Sequence, residues 1–522
     1  MKVIPSGFNV DIEILKKYHN LTREVLAGCV SLEDLQNIAK SLPEFFPTPE
    51  TISAAAAKTS RSEEDLPTLR ENAIKNVEAA RKTNETVVHG LGHESVAEHA
   101  YFNFDLVDVS RAVVNWVEEQ RLASFTEKSM RYVKFGKDFL LPNEIASSKY
   151  ANKFGDLMNK YFELYTITYD KILPIVFAEN PSLVLDLNGS DKNKSILAKN
   201  KLEGMAKEDA RYCLPYATQT QLELSVNGRS LERMIKILNS APIAEAVELG
   251  RQLLTVQPLA PSLIKYPEKT AYLSQTRQGL EEFVAELEKK LTDGTQTTMP
   301  FTNDNSYGPT LIDYDKKGDD KVVLGLLVGN SDKPYGFWEQ KLPSITKDMK
   351  YNLVKKALTN IQKHDSVFRE FELMDFTFEA EISEAAYAQL KRQRIMTLIK
   401  QPETSNIGCV IPLNVQKAGQ EEAYVKSYAE GRALFNEIAS DLGRHAALYA
   451  LPLSNMTRVY FKVNLRELHA MARHREDKFA QWEIRQMQTS AGDIARELCP
   501  LSTMLLCGKD KFDDKYKGIF PE

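Results

Sequence analysis

The sequence predicts two homologous α+β halves in tandem, and three observations carry that reading. An alternating strand followed by a helical stripe occurs twice, a second landmark recurs further on, and a polar aperiodic tract lies between the copies. In YFNFDLVDVS, Phe102, Phe104 and Leu106 alternate as a half-buried strand requires, and a stripe follows at Val109, Ala112, Val113, Trp116 and Val117. In FTFEAEIS, Phe376 and Phe378 alternate. The stripe there is Ile382, Ala385, Ala386, Gln389 and Leu390, each at a constant offset from its counterpart, 382 − 109 = 273. The second landmark is LELSVNGRSL and VYFKVNLREL, alternating strands that run into Asn-x-Arg-x-Leu at an offset of 464 − 227 = 237. Asn227 and Asn464 stand where a helix N-cap belongs, each with a side-chain oxygen able to accept from the first turn's free N–H groups. Pro215 and Pro452 precede these strands at the same offset. Offsets held over so many positions indicate an internal duplication, with 273 − 237 = 36 extra residues between the landmarks in copy one. The tract TDGTQTTMPFTNDNSYGP, residues 292–309, is rich in Thr, Asn, Gly and Pro and reads as a linker. The expected units are therefore 1–291, with an N-terminal extension of helical flavour over about residues 1–45, and 310–522.

The 522 residues carry 67 Lys and Arg against 72 Asp and Glu, a formal charge of −5, with 43% hydrophobic and 27% charged content. Length alone allows roughly three domains at about 150 residues each, and the duplication reduces that to two large ones. The composition excludes disorder and a generally basic nucleic-acid coat, while leaving room for a local cationic pocket. No run approaches the roughly eighteen apolar residues of a membrane span, and the best, Val322 to Val328, has the length of a strand. The opening MKVIPSGFNVDIEI lacks an apolar signal core. Cys29, Cys213, Cys409, Cys499 and Cys507 form no CxxC pair. A cytoplasmic protein with reduced thiols is expected, without a metal, a membrane or a nucleic-acid partner.

Polar residues on apolar stripes need partners, because an unpaired buried charge is costly. Continuing the first stripe lands on Gln120 and Arg121, and the second on Gln393 and Arg394. An arginine near a helix C-terminus also favours the dipole, which is the plain alternative. After the first stripe comes Phe125-Thr-Glu-Lys-Ser-Met-Arg-Tyr132, where Ser129 and Arg131 stand two residues apart with backbone N–H groups between them, a combination that suits a phosphate. Ser-x-Arg is also common in solvated loops. Upstream, Gly92-His93-Glu94-Ser95-Val96-Ala97-Glu98-His99 packs two His and two Glu together without the HExxH spacing of a zinc site.

Taken in order, these segments resemble the flavin-dependent thymidylate synthases, the ThyX family. Gly92 to His99 is similar to the family's GHxSxxEH-like opening, and Ser129-Met130-Arg131-Tyr132 to the part after its Arg-His-Arg hallmark. Asn464 to Leu468, Arg475 and Ala480-Gln481-Trp482-Glu483-Ile484 resemble its C-terminal element, and the likeness covers about four fifths of the chain. It implies two ThyX-like domains, each an antiparallel sheet packed against helices. It also implies reductive methylation of dUMP to dTMP with FAD as cofactor and NADPH and methylenetetrahydrofolate as co-substrates. The hallmark itself departs, reading Glu119-Gln120-Arg121 in copy one and Arg392-Gln393-Arg394 in copy two. Copy two has Lys400-Gln401-Pro402-Glu403 in place of the Ser-x-Arg segment and Leu448 at the position of Arg211; copy one has Leu238 at the position of Arg475.

The losses are complementary, so a composite site between the halves is expected. By the resemblance, Glu127, Ser129, Arg131, Arg211 and Gln389 would hold dUMP, and Arg475 would polarise the pyrimidine as the catalytic group. Flavin contacts would map to His93, Ser95, Arg121, Asn227 and Arg229 in copy one and to Arg392, Arg394, Asn464 and Arg466 in copy two. Three readings remain open: an active synthase, a relative that binds flavin and a pyrimidine nucleotide for other chemistry, and a pseudoenzyme. A homodimer would rebuild the family's tetramer.

Overall fold

A computed structural model describes residues 1–9, 49–291, 308–403 and 407–521. Most of the N-terminal extension, Cys29 and nearly all of the 292–309 tract lie outside the described residues. Each half is built on a four-stranded antiparallel sheet, with β1 (Lys2–Phe8), β2 (Tyr101–Ser110), β3 (Ala123–Glu127) and β4 (Gln219–Asn227) in the order β1-β2-β4-β3. Copy two repeats this with β5 (Thr310–Tyr314), β6 (Asp375–Ser383), β7 (Thr397–Lys400) and β8 (Met456–Asn464) in the order β5-β6-β8-β7. The molecule is thus α+β in tandem, as expected. β1 corrects the helical reading of the extension's start. It pairs with the otherwise free edge of β2, Lys2 opposite Val107 through Phe8 opposite Phe102, and Pro5 is tolerated because it lies on an edge strand at a register shift.

Alternation does what the sequence requires of it: Phe102, Phe104 and Leu106 point inward with no exposure, as do Phe376 and Phe378. The matching helices are α1 (Arg111–Glu118), α2 (Ala151–Glu179), α3 (Gly228–Asn239) and α4 (Ala244–Leu253), then α5 (Glu384–Leu390), α6 (Glu421–Leu442), α7 (Leu465–Arg475) and α8 (Trp482–Leu498). Asn227 caps α3 by accepting from Ser230 N at 2.8 Å, and Asn464 caps α7 by accepting from Glu467 N at 2.8 Å. Two sequence expectations fail here. The stripes do not continue to Gln120-Arg121 and Gln393-Arg394, since α1 and α5 end first. The chain there turns toward β3 and β7 through matching bonds, Gln120 N to Val117 O and Gln393 N to Leu390 O. Val322–Val328 is not a strand but part of a helix, Asp319–Gly329. Gly318, at φ +53°, sets its start, two aspartates favour its N-terminal dipole, and Val322, Val323 and Leu326 reach the second core at helical spacing. Among the described residues no helix is long and apolar enough to cross a membrane.

The halves meet about a pseudo-two-fold axis. Pro215 and Pro452, equivalent by the 237 offset, form an isolated antiparallel bridge. Around it Tyr216 N donates to Leu451 O at 3.0 Å and Leu453 N to Leu214 O at 2.8 Å, so equivalent residues exchange bonds. Two further latches repeat the symmetry with side chains. Tyr212 donates across to Glu483 Oε2 at 2.7 Å, and that carboxylate accepts from Ser383 N. Tyr449 donates across to Glu245 Oε2 at 2.6 Å, and that carboxylate accepts from Ser110 N. Burial pushes both carboxyls up, and the hydroxyl and amide donors oppose that. α2 and α6 also face each other: Tyr161 Oη donates to Ala450 O at 3.0 Å, passing Gly431, where a Cβ would collide with the phenol. The core of copy one accordingly includes Leu434, Phe435, Ile438 and Tyr449 from copy two.

Candidate functional site

The seam gathers arginines from both copies. β3 delivers Glu127, and the turn after it folds back so that Ser129 Oγ accepts from Arg131 N at 3.2 Å. Arg131 is fixed twice: Nε pairs with the Glu208 carboxylate, and Nη2 donates to Phe479 O of copy two at 2.9 Å. Arg211, in the 3-10 turn Arg211–Cys213, is 4% exposed and donates from Nε to Glu208 O at 3.2 Å. Among the described residues its Nη2 is buried without a hydrogen-bond partner. From copy two, Arg392 spans the seam to Glu127 Oε2 at 3.2 Å and Glu118 Oε1 at 3.4 Å. Arg475, at the end of α7, donates to Gln389 Oε1 at 3.4 Å and to Gln389 O at 3.3 Å, and among the described residues its Nε is buried without a partner. Burial first, then Arg392 and Arg131, push the Arg475 pKa down to about 10, so the three guanidiniums act on one another electrostatically. Burial likewise pulls Arg211 below the usual arginine range; Glu208 opposes that, while Arg131 and Arg111 add to it.

Glu127, Ser129, Arg131 and Arg211 are therefore brought to the same seam as Gln389, Arg392 and Arg475. Four residues that sequence reasoning passed over hold the set in place. Arg111 pairs with Glu127, Glu208 pairs with Arg131, and Lys391 pairs with Glu118 at 2.7 Å with both side chains nearly fully buried. Reading the 273 offset at charged positions would have exposed three of them, because it sets Arg111 against Glu384, Glu127 against Lys400 and Glu118 against Lys391. Orphaned guanidinium N–H groups in a net cationic cradle fit an anionic nucleotide, whose oxygens supply the missing acceptors.

The residues mapped to flavin divide into three places. His93 and Ser95 flank the start of the 3-10 helix Glu94–His99, where Arg229 is already paired with Glu94 at 3.0 Å and Glu98 at 2.8 Å. Arg121 crosses the seam to Met396 O at 3.0 Å, and Arg394 is exposed beside it in sequence. Arg466, which pairs with Glu372 at 2.7 Å and donates to Val367 O at 3.0 Å, lines a cavity of about 230 Å³ together with Lys363, His364, Asp365, Arg473, His474 and Lys509. Asn227 and Asn464 spend their oxygens on caps. The copy-two cavity is the one whose basic lining fits the anionic part of a phosphate-bearing cofactor. It adjoins the cradle through consecutive residues, since His474 lines the cavity and Arg475 enters the seam.

The chain is thus a pair of like α+β units that share an arginine-lined seam. The family described as thymidylate synthase complementing protein matches residues 41–262 and 310–501, and the chain belongs to that family. A UPF0159 protein of Thermoplasma acidophilum is 25% identical over 426 residues, covering 76% of this chain and 82% of that protein. A UPF0159 protein of Chlamydia pneumoniae is 24% identical over 446 residues, covering 82% and 80%. The flavin-dependent thymidylate synthase of Clostridium tetani is 29% identical over 230 residues, which is 43% of this chain but 84% of that enzyme. The duplicated length is therefore shared with the UPF0159 proteins, while that synthase corresponds to less than half of the chain.

Proposed function

We propose that the chain is a flavin-dependent thymidylate synthase-like enzyme that binds dUMP in the composite cradle and methylates it reductively to dTMP. The observation that carries this reading is the meeting of Arg131 and Arg211 from copy one with Arg392 and Arg475 from copy two, with buried N–H groups left open on Arg211 and Arg475. In this reading Ser129, Arg131 and Arg211 grip the phosphate, and that remote binding energy fixes the pyrimidine. Arg475 donates to the base and stabilises negative charge that develops on it, while Gln389 holds Arg475 in place. Glu127 orients Arg392 at the cradle's edge. A bound flavin, taken to be FAD and reduced by NADPH, supplies reducing equivalents, and methylenetetrahydrofolate supplies the one-carbon unit. Arg466, with the basic groups around it, would hold the flavin's anionic part.

A second reading, binding of flavin and a pyrimidine nucleotide with altered or no chemistry, is favoured by Gln120 and Gln393 in both hallmarks and by Glu119 where the family carries a positive residue. The test is direct. The purified chain should show flavin absorbance, bind dUMP and complement a thymidine-requiring strain, and Arg475→Ala should lose dUMP binding by at least about 100-fold. Flavin and dUMP binding without complementation selects the second reading; unchanged dUMP affinity in Arg475→Ala removes the composite site.

A further inference from the structure

The duplication creates a second position equivalent to the cradle, with β7 in place of β3 and copy one in place of copy two. There Lys400 replaces Glu127, Pro402 replaces Ser129, and Leu448 replaces Arg211. Trp116 stands for Gln389, Glu119 for Arg392 and Leu238 for Arg475. The counterpart of Arg131 is position 404, outside the described residues. What occupies the position is a salt cluster of reversed polarity. In the cradle, Arg111 of α1 pairs with Glu127 of β3; here Glu384 of α5 pairs with Lys400 of β7 at 2.9 Å. Lys400 also binds Glu403 at 2.6 Å and donates to Tyr216 Oη of copy one at 3.3 Å, with the Tyr387 ring 4.9 Å from its ammonium. Its side chain is 13% exposed, that of Glu384 1%, and Leu238 is wholly buried in the core of copy one. Of the two guanidiniums near it, Arg444 is already paired with Glu281, and Arg277, on the exposed helix Ala271–Leu291, acts on Glu119 electrostatically.

An anion entering here would meet Glu384, Glu403 and Glu119 and an ammonium whose contacts are already filled, whereas the cradle offers unfilled guanidinium N–H groups. We infer that each chain carries one nucleotide site rather than two, and that the second position is now a closed lock in which Lys400 ties the sheet of copy two to Tyr216 of copy one. The tie lies beside the Pro215–Pro452 bridge, so it reinforces the axis about which the halves are joined. This rests on the proposed nucleotide reading for its ligand but not for the lock.

Calorimetric titration of the full-length protein with dUMP should give one nucleotide per chain, and two per chain overturns the inference. Lys400→Met should keep that stoichiometry while lowering the thermal midpoint by about 5–10 °C, since it strands buried carboxylates. A midpoint unchanged from that of the parent, or loss of dUMP binding in a folded Lys400→Met, overturns the lock. Should Lys400→Met fail to fold, Lys400→Arg, which keeps the charge, is expected to fold, and its failure counts against an ion-pair role. Absence of any dUMP binding by the parent defeats the proposed function instead, and the melting of Lys400→Met then decides the lock alone.

Discussion

Copy one and copy two superpose in strand order, caps and latches, yet at the seam the same positions carry opposite charge. Arg111 and Glu127 in one become Glu384 and Lys400 in the other, and Glu118 becomes Lys391. The last exchange is the instructive one, because Glu118 and Lys391 bind each other. At a true two-fold axis between identical subunits, a residue lying on the axis meets its own equivalent, and a buried glutamate there would meet a glutamate. Joining two copies in one chain lifts that restriction. Each position can then mutate separately, and a self-repelling contact can become an ion pair. The same freedom allows one cradle to keep its arginines while the other closes. Features that gain nothing from asymmetry, such as the Pro215–Pro452 bridge and the Tyr–Glu latches, stay matched.

The sharpest way to break this comparison is at the axis itself. Lys391→Met leaves Glu118 buried with Arg392 at 3.4 Å and the more remote Arg111, and it should cost about 3–5 kcal/mol in chemical denaturation. Adding Glu118→Met should recover a large part of that, because removing both charges removes the stranded one; no recovery would show that the pair is not the stabilising unit. The symmetric latches should behave alike. Glu245→Ala and Glu483→Ala are each expected to cost about 2–3 kcal/mol, and a clearly unequal pair would show that the asymmetry extends beyond the cradle.

Asp209 tests the asymmetry through pH. It accepts from Trp482 Nε1 at 3.0 Å and Asn414 Nδ2 at 2.8 Å, both in copy two, while its own counterpart in copy two is Ala446. Burial, then Glu208, raises its pKa to about 7. A carboxyl raised in the folded state contributes stability that is complete below its unfolded pKa, near 3.8, and lost as pH rises toward 7. Melting of Asp209→Asn between pH 4 and 7 should therefore lack a downward slope present in the parent, and parallel curves would remove the assignment. The smallest expected effects are at the caps. Asn227→Ala and Asn464→Ala should each cost about 1 kcal/mol, equally in the two copies.

Much of the fold was legible because it rests on local periodicity. β2, β4, β6 and β8 alternate visibly, and each Asn-x-Arg-x-Leu announces a capped helix. The gathering of arginines from both copies at the seam was legible as a set of complementary losses, since Arg131 and Arg211 occur only in one copy and Arg475 only in the other. Legibility failed where non-local packing decides. β1 exists because β2 offers an edge, and the Asp319–Gly329 helix overrides a strand-like run of β-branched residues through its capping turn and its buried face. The partners Glu208 and Phe479 O were invisible for the same reason, as the first comes from packing within copy one and the second from the register between the halves; Lys391 is legible only when the 273 offset is read at charged positions.

The bond from Arg131 to Phe479 joins residues 348 positions apart. Its consequence concerns timing during synthesis. Copy one can emerge and collapse with its sheet complete, but the cradle has no second wall until α7 and the loop beyond it have left the ribosome. Closure of so long a loop comes late and slowly, so a half-made chain lacks the copy-two wall of the cradle until the last quarter of the polypeptide has docked.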